Sequence, residues 1–173
     1  MGGQRTEQFC RMWVVGGPLV IACNETTKNT KCSVYTSSVI DAPVDKVWLL
    51  TRDFGGFSTW HSAVSRSFIE GDDPPDRVGC IRRFTLVTGE TVRERLLALC
   101  DVERVFRYAL LDGPLPLRDY VATFRLRPVT EGDRTFISWK AKYYTHADAG
   151  VSIRSRIEDL FQQGFDTLKR QLA

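Results

Sequence analysis

The chain has 173 residues, 43% hydrophobic and 26% charged, with a formal net charge of +3. That is one domain's worth of chain in the ordinary range for a soluble globular protein, and enough to bury a real core. The charge excess is too small to argue for nucleic acid. No block of like charge suggests an acidic partner or a membrane face, because the arginines sit at alternating strand positions. The five cysteines, Cys10, Cys23, Cys32, Cys80 and Cys100, are odd in number and have no C-x-x-C spacing, so they read as reduced thiols of a reducing, cytoplasmic compartment. With only His61 and His146 besides, no zinc site is expected. No metal and no cofactor is required by anything in the chain.

Residues 1–31 differ from the rest and are expected to form a poorly ordered tail before a domain over residues 32–173. Met12 to Ala22 is apolar but is broken by Gly16, Gly17 and Pro18, and is too short for a membrane span of ~20 residues. Two other readings stand beside the tail. One is an export signal, with Arg5 and Arg11 ahead of the apolar run and a lipoprotein-like Val20-Ile21-Ala22-Cys23. The other is a myristoylation site at Met1-Gly2 with Thr6. Either would make the protein exported or membrane-anchored.

The β-rich run Ser33 to Ile40 opens the domain. Asp41 is placed to cap a helix with Pro43 near its first turn. Val44 to Arg52 then reads as a short amphipathic helix, broken at Asp53-Phe54-Gly55-Gly56, and Phe57 to Val64 as a second helical piece. The period changes to two from Arg66. Strands are expected at Arg66 to Glu70, Gly79 to Val87, Glu90 to Cys100, Arg104 to Leu111, Asp119 to Val129 and Arg134 to Tyr144. Short Gly and Asp loops join them, the signature of an antiparallel meander. From Val151 to Ala173 the spacing is helical, with Ile153, Ile157, Leu160, Phe161, Phe165, Leu168 and Leu172 on one stripe. The architecture is α+β: about seven antiparallel strands curved around a long C-terminal helix, with two short helices after the first strand.

Alternation assigns the faces. With Arg93 and Arg95 outward, Val92, Glu94, Leu96 and Ala98 turn inward. The same rule turns in Phe106, Tyr108 and Leu110, then Tyr120, Ala122, Phe124 and Leu126, then Ile137, Trp139, Ala141 and Tyr143. Glu94 is therefore a carboxylate among apolar neighbours, which must be paired or have a raised pKa. Arg82, on the preceding strand across a hairpin near Gly89, is its natural partner. Arg83 would face the other way, so the assignment depends on register. Gly164, on the helix stripe, either leaves room for a ligand or allows tight helix–sheet packing. His61 is a candidate acid–base group or a surface residue on a short helix, and His146 is expected to be solvent-exposed.

Four stretches carry a resemblance: Ile40 to Trp48 (IDAPVDKVW), Val78 to Arg82 (VGCIR), Glu94 to Asp101 (ERLLALCD) and Gly113 to Tyr120 (GPLPLRDY). In this order and spacing they resemble the START-like superfamily of birch-pollen-allergen, polyketide cyclase/dehydrase and lipid-transfer proteins. The resemblance covers residues 33–173 and is nearest to the branch of lachrymatory-factor synthase and the plant abscisic acid receptors. It implies a helix-grip fold with an internal cavity for a small apolar molecule. It also carries the catalytic Arg–Glu pair of the synthase onto Arg82 and Glu94, and it puts Trp60 and His61 at the pocket mouth. The expected ligand-contacting residues are Trp60, His61, Phe84, Tyr108, Leu115, Tyr120, Trp139, Phe161 and Phe165. The receptors' gate loop corresponds to Leu86-Val87-Thr88-Gly89 and their latch to Gly113-Pro114-Leu115-Pro116-Leu117. Both depart from the receptor motifs, so hormone reception is not implied, while closure of a ligand gate by the same two loops is. Three functions follow for testing: a binding protein for a polyketide- or lipid-like molecule, a cofactor-independent cyclase, dehydratase or isomerase, and an interaction protein whose interior is only a packed core.

Overall fold

The computed structural model describes residues 29–173. Residues 1–28, on which most of the tail reading and both the export and myristoylation readings fall, lie outside the described residues. Asn29 to Lys31, assigned to the tail from sequence, belong to the first strand, β1 (Asn29–Ile40). Helix α1 (Val44–Thr51) follows, then a 3-10 turn (Phe54–Gly56) running into α2 (Phe57–Trp60). Six more strands come in sequence: β2 (Val64–Ile69), β3 (Ile81–Leu86), β4 (Thr91–Cys100), β5 (Val105–Asp112), β6 (Arg118–Val129) and β7 (Arg134–His146). The chain ends with α3 (Gly150–Leu172). The sheet order is β1-β7-β6-β5-β4-β3-β2, with every neighbouring pair antiparallel. It is a seven-stranded meander whose first strand returns to pair with the last.

The sheet curves because its strands are bulged. Register shifts fall between Val64 and Arg66 in β2, between Leu96 and Ala98 in β4, at Leu111 in β5 opposite Arg93 and Glu94, and between Arg118 and Val121 in β6, and each extra residue bends its strand. α3 lies in the concave side. Its 23 residues bury Ile153, Ile157, Phe161, Phe165 and Leu168, the stripe expected from the spacing. The inward residues of β6 and β7 are likewise buried as alternation requires. Among the described residues no helix is long and apolar enough to cross a membrane.

Three local expectations are corrected. Asp41 does not cap α1: Pro43 occupies the cap position, no side chain caps the helix, and Asp41 sits two residues too early to reach it. The second helical piece stops at Trp60 and not at Val64, because His61 adopts an extended backbone and Val64 enters β2. Ala98 is exposed. The bulge between Leu96 and Ala98 uses one extra residue, so the phase flips and Leu99 takes the position opposite Phe106.

Candidate functional site

The β3–β4 hairpin places Arg82 directly opposite Glu94, both on the inner face. Thr88-Gly89 makes the turn, and Gly89 has φ +99°, a region that favours glycine. The register thus selects Arg82. Arg83, on the outer face, instead shares Glu70 with Arg93. Arg82 Nε donates to Glu94 Oε2 at 2.7 Å, and Nη2 lies 2.6 Å from the same oxygen. The two side chains are 1% and 7% exposed. The guanidinium carbon stands 4.2 Å from the ring centres of both Phe54 and Phe57, 4.9 Å from Tyr108 and 5.5 Å from Phe84. The charge is therefore held by aromatic faces as well as by the carboxylate. Burial pushes the Glu94 carboxyl upward, and Arg82 opposes that rise through charge and hydrogen bonding.

Glu94 lines a small cavity of about 90 Å³. The rest of the wall is apolar apart from the Tyr120 phenol. Phe84, Leu86, Val92 and Leu110 come from the sheet, Gly113, Pro114, Leu115 and Leu117 from the β5–β6 loop, and Ile157 and Leu160 from α3. Tyr120 enters the wall within a β6 bulge at which Asp119 takes a left-handed backbone, φ 50°. An outer hollow of about 380 Å³ shares Leu86, Pro114, Leu115 and Leu160 with the cavity. Those four side chains border both spaces, and Val87, Thr88 and Glu90 of the β3–β4 turn line the outer side.

Of the residues singled out from sequence, Glu94, Phe84, Leu115 and Tyr120 meet in this cavity, and the others do not line it. Arg82 lies behind Glu94 inside its aromatic box. Tyr108 is buried, with its hydroxyl oxygen accepting from Trp139 Nε1 at 2.8 Å. Trp139 stacks on Phe161 with centroids 4.3 Å apart and planes 4° from parallel, while Trp60, Phe124 and Phe165 surround that stack. These rings fill the middle of the molecule themselves. Trp60 and His61 are 1% exposed, so neither stands at the cavity mouth, and His61 is not a surface residue.

His61 instead ties α2 to α3. Its Nε2–H donates to the Leu160 carbonyl at 3.0 Å and its Nδ1 accepts from the Ala63 amide at 3.2 Å. Burial, aided by the Arg82 charge, lowers its pKa to about 4, against the partial support of the Leu160 carbonyl. A Cβ on Gly164 would fall 2.9 Å from His61 Cδ2 and 3.2 Å from Trp139 Cζ3. The glycine therefore serves tight packing, and no ligand space lies beneath it. His146, the other histidine, is half-buried at the end of β7.

Leu86, Gly113, Pro114 and Leu117 are named from sequence only as parts of the two gate loops, not as ligand contacts. Sequence reasoning had placed Val92, Leu110, Ile157 and Leu160 on inward faces without assigning them to the cavity. Alternation finds a face but not which part of that face stays unfilled. Among the described residues no three or more histidine, cysteine or carboxylate side chains converge as a metal site. Cys32, Cys80 and Cys100 are free thiols.

A curved antiparallel sheet gripping a C-terminal helix, with an apolar cavity ending at a buried ion pair, defines the START-like helix-grip class. Residues 31–173 match the family described as polyketide cyclase / dehydrase and lipid transport, and the chain belongs to that family. It is 28% identical over 104 residues to the abscisic acid receptor PYL7 of Arabidopsis thaliana, covering 58% of this chain and 48% of the receptor. It is 33% identical over 95 residues to the abscisic acid receptor PYL1 of the same plant, covering 53% and 42%. The chain thus spans less than half the length of these curated relatives. A solved protein structure from Nitrosospira multiformis superposes with a TM-score of 0.72 at 28% identity, covering 82% of this chain and 97% of that one.

Proposed function

We propose that the protein binds a small, largely apolar molecule, polyketide- or lipid-like, in the cavity between α3 and strands β3 to β6. The supporting observation is the wall itself: apolar side chains from three sources, with one carboxylate and one phenol at its polar end. Such walls, with few polar groups, are characteristic of small-molecule sites. The likeness to abscisic acid receptors supports a small organic guest, and the departures in the two loops point to a guest other than that hormone. At about 90 Å³ the cavity is well below the several hundred Å³ typical of ligand sites. Binding therefore includes displacement of Leu115 and Pro114, which joins the cavity to the outer hollow.

A second reading, a cofactor-independent cyclase, dehydratase or isomerase, draws on the Glu94 carboxylate. Both Arg82 contacts fall on Oε2, which leaves Oε1 for a guest. Burial raises the pKa of this group, as proton transfer near neutral pH requires. In this reading Glu94 moves the proton. Arg82 acts by positioning Glu94 and by polarising it, since it does not line the cavity. Thermal denaturation against a panel of aromatic polyketides and fatty acyl lipids tests both readings. A guest that binds raises the midpoint in proportion to its concentration. If none of the panel moves the midpoint, and labelled lipid does not co-purify, the binding reading fails. If a guest turns over, Glu94→Gln abolishes turnover while sparing binding, and undiminished turnover removes Glu94 from the mechanism.

A further inference from the structure

The outer, convex face of the sheet gathers charges that are scattered in the sequence. Lys31 of β1, Arg107 of β5, and Lys140 and Lys142 of β7 surround a groove of about 460 Å³. Arg107 pairs with Thr123, and Thr123 with Lys140, so two cations flank one hydroxyl across three adjacent strands, about 10 Å apart at Cα by ordinary strand spacing. Lys142 follows Lys140 on the same face, about 7 Å along the strand. Lys31 closes the end of the groove opposite Tyr144. An adjoining hollow shares Lys31 and Lys142 and adds Arg154.

All four groove cations are exposed. Among the described residues none is in an ion pair. Elsewhere on the outer face several arginines are paired: Arg83 and Arg93 share Glu70, and Arg127 meets Glu103. Among the described residues Asp119 is the single carboxylate lining the groove. Four cations against one carboxylate leave an uncompensated positive concavity, which raises the local concentration of anions. The donors are of three kinds: a guanidinium fork, ammonium groups and a hydroxyl. A phosphate-class anion, with close to two negative charges and several acceptor oxygens, meets this excess of cations and separate donors better than a singly charged carboxylate does.

We propose that this groove binds a phosphate-class dianion, presented by a small phosphorylated molecule or by a lipid headgroup. The site is separate from the interior cavity and does not depend on what that cavity holds. The test is an amide NMR titration of the full chain with sodium phosphate at constant ionic strength, beside co-sedimentation with phosphatidylcholine vesicles with and without phosphatidic acid. Saturable shifts at Val121, Thr123 and Lys142 support the site and assign it to soluble phosphates. Sedimentation with the acidic vesicles alone supports it and assigns it to lipid headgroups. Lys142→Gln or Arg107→Gln weakens whichever interaction is found by about tenfold, the loss of one charge-assisted contact. Arg66→Gln removes an exposed cation from the far edge strand β2 and leaves the interaction unchanged. The proposal is overturned if neither probe binds, or if Arg66→Gln weakens binding as much as the groove substitutions do.

Discussion

Replacing Arg82 by Met tests the physical account of the ion pair. The substitution keeps an unbranched apolar stem inside the box of Phe54, Phe57, Phe84 and Tyr108, and removes the guanidinium that holds Glu94 Oε2 at 2.6–2.7 Å. Glu94 is left buried with no other donor among the described residues. Breaking a buried pair from one side costs about 3–5 kcal/mol, because a desolvated charge is stranded. The loss must also depend on pH. The folded-state pKa of Glu94 is already raised by burial, and without Arg82 it rises further. A carboxyl raised in the fold contributes stability that is fully present below its unfolded value of 4.5 and is lost as pH rises through the folded value. Arg82→Met is therefore least damaging near pH 4.5 and grows more damaging as the pH rises. Urea denaturation of the variant and the parent across that range measures both the size and the slope. Combining Arg82→Met with Glu94→Leu removes both charges and recovers much of the loss. A penalty below about 1 kcal/mol at neutral pH, or one equal at all pH values, would refute the picture of a desolvated, mutually dependent pair.

Gly164→Ala raises helix propensity by ~1 kcal/mol, yet here it lowers stability. The new methyl meets His61 and Trp139, rings held by two hydrogen bonds and by the Phe161 stack. Overpacking of this kind costs about 1–3 kcal/mol, so chemical denaturation shows a small net loss, and a gain contradicts the packing assignment. His61 is neutral in the fold, with a pKa lowered from 6.5 to about 4. Its contribution is present above pH 6.5 and is lost as pH falls through about 4, a swing of about 3 kcal/mol. His61→Gln flattens that part of the stability–pH curve; an unchanged slope assigns the acid sensitivity elsewhere. Leu115→Ala thins the wall between the cavity and the outer hollow. It increases the binding of the fluorescent apolar probe anilinonaphthalene sulfonate, and unchanged fluorescence places the entry route at another point.

Much of the fold was legible because its signals are local. The change of period at Arg66, the Gly and Asp turns, and the helical stripe from Ile153 to Leu172 each follow from neighbours in the chain. The inward faces of β6 and β7 were legible for the same reason. β4 departed from alternation after Leu96, because a bulge has no mark in a run such as LLALC. The pairing of Arg82 with Glu94 was legible as far as one hairpin carries it, since a two-residue period and a Gly turn constrain which side chains meet. The cavity was less legible. Trp60, His61, Trp139, Phe161 and Phe165 all point inward, and nothing in their spacing distinguishes rings that line a space from rings that fill it.

The sequence alone determined a meander of strands around a C-terminal helix, and a carboxylate on its inner face with an arginine beside it. Those properties follow from backbone periodicity, turn chemistry and the cost of burying charge. Only the tertiary structure decided how the inner volume is divided, because that depends on which side chains from distant elements reach one point first. The Trp139–Phe161 stack and the His61–Gly164 contact close the centre. The remaining space lies toward Glu94, behind Leu115. Only the fold, too, brought Lys31, Arg107, Lys140 and Lys142 onto one outer groove, since sheet pairing joins residues that the chain keeps far apart.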